Sequence, residues 1–300
     1  MDYGIINTIM KSVQIIVASH KDYPMPGDQS YLPLQVGAAL HPSIEGFTPD
    51  STGDNISTKN PYFCELTGLY WAWKNLNADY IGLVHYRRHF TAYRGTLNSD
   101  IKRARHILST FELNRILDDC SLILPKKRNY VIENLHDHYA HTMYVEPLNL
   151  THDIIAEKYP EYLPAFNRLH ERTSAHMFNM FVMSRELLYY YCTWLFDILF
   201  TLENRISGDS LADSNNFISD DVSASSNVAR ASIDISNYSD FHKRFYGRIS
   251  ELLLDVYLET NGITDYKELK VIDMDGVNWV KKGSAFLSAK FTGKKYEKSF

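Results

Sequence analysis

Cysteine is scarce in this chain of 300 residues: Cys64, Cys120 and Cys192 are the full complement. Three widely spaced thiols in apolar sequence offer no Cys-x-x-Cys pair, no His/Cys zinc spacing and no disulfide framework. They fit a reducing cytoplasm and buried thiols. Glycine-rich phosphate motifs are also missing. Neither Gly-x-Gly-x-x-Gly nor Gly-x-x-x-x-Gly-Lys-Ser/Thr occurs, which argues against the dinucleotide turn of an epimerase and against a P-loop. No clustered carboxylates or nucleophile motif mark a sugar-phosphate hydrolase. Long apolar runs are absent: the most apolar helix candidate, Leu187–Leu202, is too short for a membrane span and carries Asp197, so it reads as a core helix. Met1–Met10 lacks the charged start and apolar core of a signal peptide. Positive charge is not in excess either, since a formal net charge of −5 argues against a general nucleic-acid binder. There is no internal repeat.

What is present is apolar and aromatic. A 45% hydrophobic content over this length can build one large α/β domain or two small ones. Tyrosine is abundant, at 21 residues, and tyrosine serves equally for packing cores and for stacking on sugar rings. The most informative stretch is Asp79-Tyr-Ile-Gly-Leu-Val-His-Tyr-Arg-Arg-His-Phe90. Ile81, Leu83 and Val84 form a run that suits a strand covered on both faces, with Gly82 allowing close approach of a neighbour. His85, Tyr86, Arg87, Arg88 and His89 follow at its carboxyl end, where open α/β sheets bind ligands. Paired guanidinium groups there suit a phosphate or carboxylate, because their planar donors match an oxyanion. The competing reading is a surface turn with incidental charge.

Upstream, Gly53–Ser57 is turn-rich and can start a helix, with Ser57 or Thr58 as N-cap. Lys59–Asn75 then shows helical spacing at Phe63, Leu66, Tyr70 and Trp73. Glu65 within it reads as solvated. This helix leads into the Asp79 strand, so Asp54, Asn55, Lys59 and the His85–Arg88 cluster are expected to line one cleft.

Further strands are expected at Val13–Ala18, ending in Ser19-His20-Lys21, and at Ser121–Pro125, ending in the basic loop Lys126-Lys-Arg-Asn-Tyr130. That loop could contact a diphosphate or a lipid-linked acceptor, or simply be solvated. Ser99–Asp118 reads as polar helix, Ala175–Ser184 as a strand carrying His176 and Asn179, and Arg185–Arg205 as a long aromatic helix. His136, His138, His141 and His152 match no metal template. Residues 207–240 are dominated by Ser, Asp and Asn and read as a flexible insertion. Phe241–Glu259 resumes a helix with Glu251 beside its apolar stripe. From Lys270 onward, seven lysines interleave with Trp279, Phe286, Phe291 and Phe300. Such a tail suits a membrane interface as well as it suits solvent.

Val17-Ala-Ser-His-Lys-Asp-Tyr-Pro-Met-Pro26, Tyr31–Leu40, Gly53–Ser57, Lys59–Asn75 and Asp79–Phe90 occur in the same order in a bacterial family. On these segments the chain resembles capsular and exopolysaccharide glycosyltransferases long catalogued as a domain of unknown function, some of which look like galactosyl- or galactofuranosyltransferases. The resemblance covers about residues 12–205, and residues 241–260 more loosely. It implies a GT-A-like α/β domain with a mostly parallel central sheet over residues 12–260, helical C-terminal additions, and a basic, aromatic extension from 261 to 300. It further implies transfer of galactose or galactofuranose from a UDP-sugar to a saccharide or lipid-linked oligosaccharide acceptor. The setting would be the cytoplasm, at the inner face of the plasma membrane, with peripheral membrane contact through the tail. The alternative is a non-catalytic nucleotide-sugar or carbohydrate-binding module.

The expected donor-binding residues are His20, Asn55, Lys59, Arg87, Arg88 and Asn179. The expected catalytic residues are Glu251, Asp54 and His85, with Glu251 or Asp54 as base. The usual Asp-x-Asp metal motif is absent at the strand end, where His85-Tyr-Arg-Arg88 stands instead. Asp273-Met-Asp275 has the letters but follows the expected core. Cations are therefore expected to hold the diphosphate, while a divalent metal, Mn or Mg, stays open, with Asp54 able to hold it.

Overall fold

The computed structural model describes residues 10–95, 97, 99–207 and 233–275. Strands β1 (Val13–Ser19), β2 (Tyr31–Gln35) and β3 (Thr48–Pro49) open the chain. Helices α1 (Asn60–Phe63) and α2 (Leu66–Asn75) lead to β4 (Tyr80–His85) and β5 (Arg88–Thr91). Next come α3 (Asp100–Ala104), α4 (Thr110–Leu117), β6 (Leu122–Pro125), β7 (Arg128–Asn129), α5 (Leu135–Thr142), α6 (Glu146–Lys158) and α7 (Leu163–Glu171). The chain continues through β8 (Ser174–Ala175), β9 (Phe181–Ser184), α8 (Arg185–Ser207), α9 (Phe245–Thr260) and β10 (Tyr266–Asp273).

β1, Val-Gln-Ile-Ile-Val-Ala-Ser, is rich in β-branched residues and lies between β2 and β4, parallel to both. Its alternation decides the layers. Ile16 and Ala18 face the larger apolar layer, and Ile15 and Val17 face the smaller one. The same period of two continues across the sheet: Ile81 and Leu83 against Val84, Leu122 and Leu124 against Ile123, and Phe181 and Met183 against Val182. The larger layer packs under α2, α8 and α9, and the smaller under α4, which starts with a Ser109–Glu112 capping box.

The sheet is mixed, which corrects the mostly parallel expectation. β1–β2, β1–β4, β2–β3 and β6–β10 are parallel, while β4–β9, β6–β9, β4–β5 and β5–β10 are antiparallel. β9 inserts between β4 and β6, and this explains Gly82. A Cβ there would lie 2.9 Å from the Phe181 carbonyl oxygen and from Val182 Cγ2. β10 falls within the stretch set apart as a C-terminal extension, yet it joins β6 to β5 inside the sheet. The rest of that extension, 276–300, lies outside the described residues, as do 208–232 of the expected insertion. Residues 233–240 belong with the body: Ile233 and Ile235 pack on the core and Tyr238 is buried.

Three segments expected as continuous are broken: the helix expected over 99–118 divides into α3 and α4, and two further breaks shape the cavity. The 59–75 helix stops at Cys64, whose φ is 53°, and restarts at Leu66. Asn60 holds the break: its carbonyl accepts from Cys64 N at 2.8 Å and its Nδ2 donates to the Cys64 carbonyl at 2.8 Å. The 175–184 segment splits into β8 and β9 around Phe178 and Asn179, with φ of 81° and 52°.

Asp50, fully buried, anchors the loops leading into α1. It accepts from the backbone of Gly37 at 2.9 Å and Ala38 at 3.0 Å, from Thr67 Oγ1 at 2.7 Å, and from the Ser57 hydroxyl. Ser57 therefore serves Asp50 rather than acting as a helix cap. Asp50→Ala strips the acceptor from four donors, and each buried donor left unmade costs roughly 1–3 kcal/mol. Urea unfolding is expected to show a clearly lowered midpoint for Asp50→Ala and a smaller loss for Asp50→Asn, which keeps one acceptor oxygen. A wild-type midpoint for Asp50→Ala would contradict this anchoring role.

Candidate functional site

A cavity of about 880 Å³ opens where β1, β4 and β10 end. β1 brings His20 to it, β4 and the following turn bring His85, Tyr86, Arg87 and Arg88, and β10 brings Asp273. The break between α1 and α2 supplies Cys64 and Glu65, with Asn60 beside them. β7 supplies Arg128, and α5 supplies His138. The wall opposite is α9 and the turn before it, with Arg244, Gly247, Arg248 and Glu251.

Five arginines face three carboxylates among the described lining residues. Some of that charge is matched internally. Arg88 Nε lies 3.6 Å from Asp273, Arg87 Nη1 lies 3.7 Å from Asp275, and Arg248 Nη1 lies 3.4 Å from Glu251 Oε1. Arg88 also lies over the Phe178 ring at 4.7 Å. Arg128 sits over Tyr130 at 5.1 Å, and Tyr130 stacks in turn on His138 at 3.8 Å. Arg244 donates to Cys64 Sγ at 3.1 Å. Among the described residues no carboxylate pairs with Arg128 or Arg244. A cavity with this surplus of guanidinium donors favours an anionic ligand with several oxygens.

His85 donates from Nε2 to the Phe178 carbonyl at 2.6 Å, since a carbonyl can only accept. Burial lowers its pKa, with the neighbouring Glu65 charge opposing that shift. Burial, then the charge of Arg244, also lowers that of His20 at the rim. Glu251 is raised, first by burial, against the pull of Arg248 and with the repulsion of Glu65. Its Oε2 is buried and, among the described residues, has no hydrogen-bond partner.

Asn179 stands behind the wall. Its Nδ2 donates to Glu65 Oε1 at 2.7 Å and to the Gly247 carbonyl at 3.0 Å, and its Oδ1 accepts from Ser250 Oγ at 2.9 Å. The structure thus gathers His20, His85, Arg87, Arg88 and Glu251 at one cavity, with Asn179 supporting it. It does not bring Asp54, Asn55 or Lys59 there. Asp54 accepts from Tyr70 OH at 3.2 Å and is tied to Asn75, Asn55 closes its own turn onto Ser51 and Gly53, and Lys59 pairs with Glu203 on α8 at 2.7 Å. These partners hold the three side chains away from the cavity.

The sequence reading missed Glu65, Arg244 and Arg248, and it placed Asp273 outside the core. A break at Cys64 turns Glu65 inward, where a continuous helix would have left it in solvent. The basic loop after β6 was a usable signal, and Arg128 is its member that reaches the cavity, while Lys126 and Lys127 are exposed. Asp273 and Asp275 face the guanidinium groups of Arg88 and Arg87, and Asp275 also accepts from Tyr23 OH at 2.7 Å. Those carboxylates are already matched by the arginine cations. Among the described residues, no group of three or more His, Cys, Asp or Glu converges to hold a metal ion. No helix among them is long and apolar enough to cross a membrane.

The chain is thus an α/β domain with an arginine-rich cavity at the carboxyl end of a mixed sheet. The family model described as Domain of unknown function (DUF4422) matches residues 14–218, and the chain belongs to that family. Among solved structures it is similar to the apo structure of WbbM, a bifunctional glycosyltransferase, with a TM-score of 0.71 and 29% identity. The match covers 87% of this chain and 45% of that one, so the chain spans less than half of its length. No curated protein sequence matches.

Burial drives His89, His138 and His170 from the ordinary 6.5 down to about 4. The unfolded chain therefore binds these protons first. Their neutral forms support folding fully above pH 6.5, and that contribution is lost as pH falls from 6.5 to about 4. Urea midpoints measured across this window are expected to decline, and His89→Gln to remove part of the slope. An unchanged slope in His89→Gln would show that His89 does not contribute.

Proposed function

We propose that this chain is a glycosyltransferase that moves galactose or galactofuranose from a UDP-sugar to a saccharide or lipid-linked acceptor in capsule, exopolysaccharide or O-antigen synthesis. The observation that carries this reading is the arginine surplus in a cavity large enough for a nucleotide sugar, in a fold similar to a glycosyltransferase. The reaction separates a sugar from a nucleoside diphosphate, and the leaving group gains negative charge as the bond breaks. Guanidinium groups already in place stabilise that charge without reorganising at the moment of reaction. Arg87 and Arg88, at the end of β4, form one side of the diphosphate site, and Arg128 and Arg244 bring further donors from β7 and the turn before α9. Aromatic faces such as Tyr86 and Phe178 suit the base and the sugar rings. The three cysteines are free thiols, which suits the cytoplasmic side of the membrane, where we place the reaction.

Two measurements test the proposal. The first incubates the protein with UDP-galactopyranose, UDP-galactofuranose or UDP-glucose and saccharide acceptors, with and without chelator. One UDP-sugar is expected to be consumed in an acceptor-dependent way. Tight nucleotide binding without turnover on any acceptor would instead indicate a binding module. The second replaces the arginine pair. Each charge-assisted contact is worth roughly 1.5–3 kcal/mol, so Arg87→Ala or Arg88→Ala is expected to weaken UDP-sugar binding or turnover by about tenfold or more. Wild-type kinetics in both folded variants would remove the pair from the donor site.

A further inference from the structure

We infer that Glu65 is the general base of the proposed transfer and that Asn179 is the residue that positions it. The inference rests on the glycosyltransferase reading and adds to it a residue and a stereochemical course. A base must present an oxygen to the acceptor hydroxyl, and accessibility sorts the cavity's carboxylates. Glu251 lines the cavity, but its unpartnered Oε2 is sealed from solvent and its Oε1 faces Arg248. Asp273 faces Arg88, and Asp54 lies outside the cavity. Glu65 is partly buried at the cavity wall, and among the described residues no donor reaches its Oε2. Oε1 is held from behind by Asn179, so Oε2 is the oxygen left for a substrate.

The support is built for that orientation. The Asn179 side chain is 2% exposed and makes three hydrogen bonds, to Glu65, to Gly247 and from Ser250. Its backbone and that of Phe178 have positive φ, and the Phe178 carbonyl this presents accepts from His85. One turn therefore sets both Glu65 and His85. The charged and titratable groups facing Glu65 are Cys64 beside it, His85 on β4, and Arg248 and Glu251 on α9.

In the step itself, Glu65 takes the proton of the acceptor hydroxyl, and that oxygen forms a bond to the anomeric carbon. The bond from the anomeric carbon to the diphosphate oxygen breaks, and the nucleoside diphosphate leaves with the electron pair, held by the arginines. The product has the inverted anomeric configuration.

The test uses the full chain with the UDP-sugar and acceptor that the wild type turns over. Glu65→Gln is expected to lower kcat by about 10²–10⁴ while UDP affinity, measured by titration calorimetry, stays within about threefold. Asn179→Asp keeps the size and the tolerance for positive φ but replaces the amide donor with a second carboxylate. It is expected to shift the acidic limb of the kcat/KM profile to higher pH and to lower kcat more than it raises KM. A purely structural role would leave that limb where it is. Should Asn179→Asp fail to fold, Asn179→Gly, which keeps the backbone freedom and lacks the donor, is expected to show the same loss of kcat. If the wild type turns over a UDP-sugar and Glu65→Gln retains more than half of that turnover, the assignment of the base is wrong and the glycosyltransferase reading stands. If the wild type neither binds nor turns over any UDP-sugar, that reading falls, and the assignment with it.

Discussion

The amide of Asn179 is the point where the parts of this cavity are joined. It sits in a buried turn between β8 and β9, and its three hydrogen bonds reach the break between α1 and α2 and the first turns of α9. The neighbouring Phe178 carbonyl reaches the end of β4 through His85. Positive φ at two consecutive non-glycine residues costs on the order of 1–3 kcal/mol each. Such a turn persists only where its surroundings over-determine it, and here the buried hydrogen bonds do so. The sheet supplies the platform, because β9 lies between β4 and β6 and so delivers the turn directly to the carboxyl end of β4.

Charge follows from that placement. With β4, β7 and the start of α9 converging, guanidinium groups from three separate elements share one space. Asp273 reaches Arg88 from the adjacent strand in register, where β10 pairs with β5. This internal matching limits the cost of crowding cations, yet it is incomplete. Arg128 is held by an aromatic face and Arg244 by a thiol, so neither guanidinium is committed to a carboxylate among the described residues. Burial keeps that thiol protonated by pushing the Cys64 pKa up to about 12, so it does not act as an anion for Arg244. An anionic ligand, as proposed above, would complete the balance that the protein leaves open.

The parts of this arrangement that the sequence announced are those with a local physical signature. β1, β4 and β6 were readable because apolar runs bounded by polar clusters have few other uses, and α8 because its length and aromatic content permit no other packing. The His85–Arg88 cluster was readable from its position after such a run. Three features were not. The helix break at Cys64 depends on Asn60 bonding back to the chain, which helical periodicity does not register, and so Glu65 was assigned to solvent. Asp50 gives no signal in a loop, because its importance lies in four donors gathered from residues 37 to 67. β10 reads Tyr-Lys-Glu-Leu-Lys-Val-Ile-Asp, with charged residues interrupting its few apolar ones, and its place beside β6 is a matter of tertiary pairing. Asp54, Asn55 and Lys59 were drawn to the cavity by adjacency in sequence, whereas local hydrogen bonds and Glu203 hold them elsewhere.

The most direct measurement is a crystal structure of the chain with UDP-sugar bound. The account predicts the diphosphate oxygens within hydrogen-bonding distance of the cavity arginines, Arg87 or Arg88 among them, with the anomeric carbon facing the side of the cavity that holds Glu65 and His85. A nucleotide bound outside this cavity, or a diphosphate that contacts none of its arginines, would contradict it.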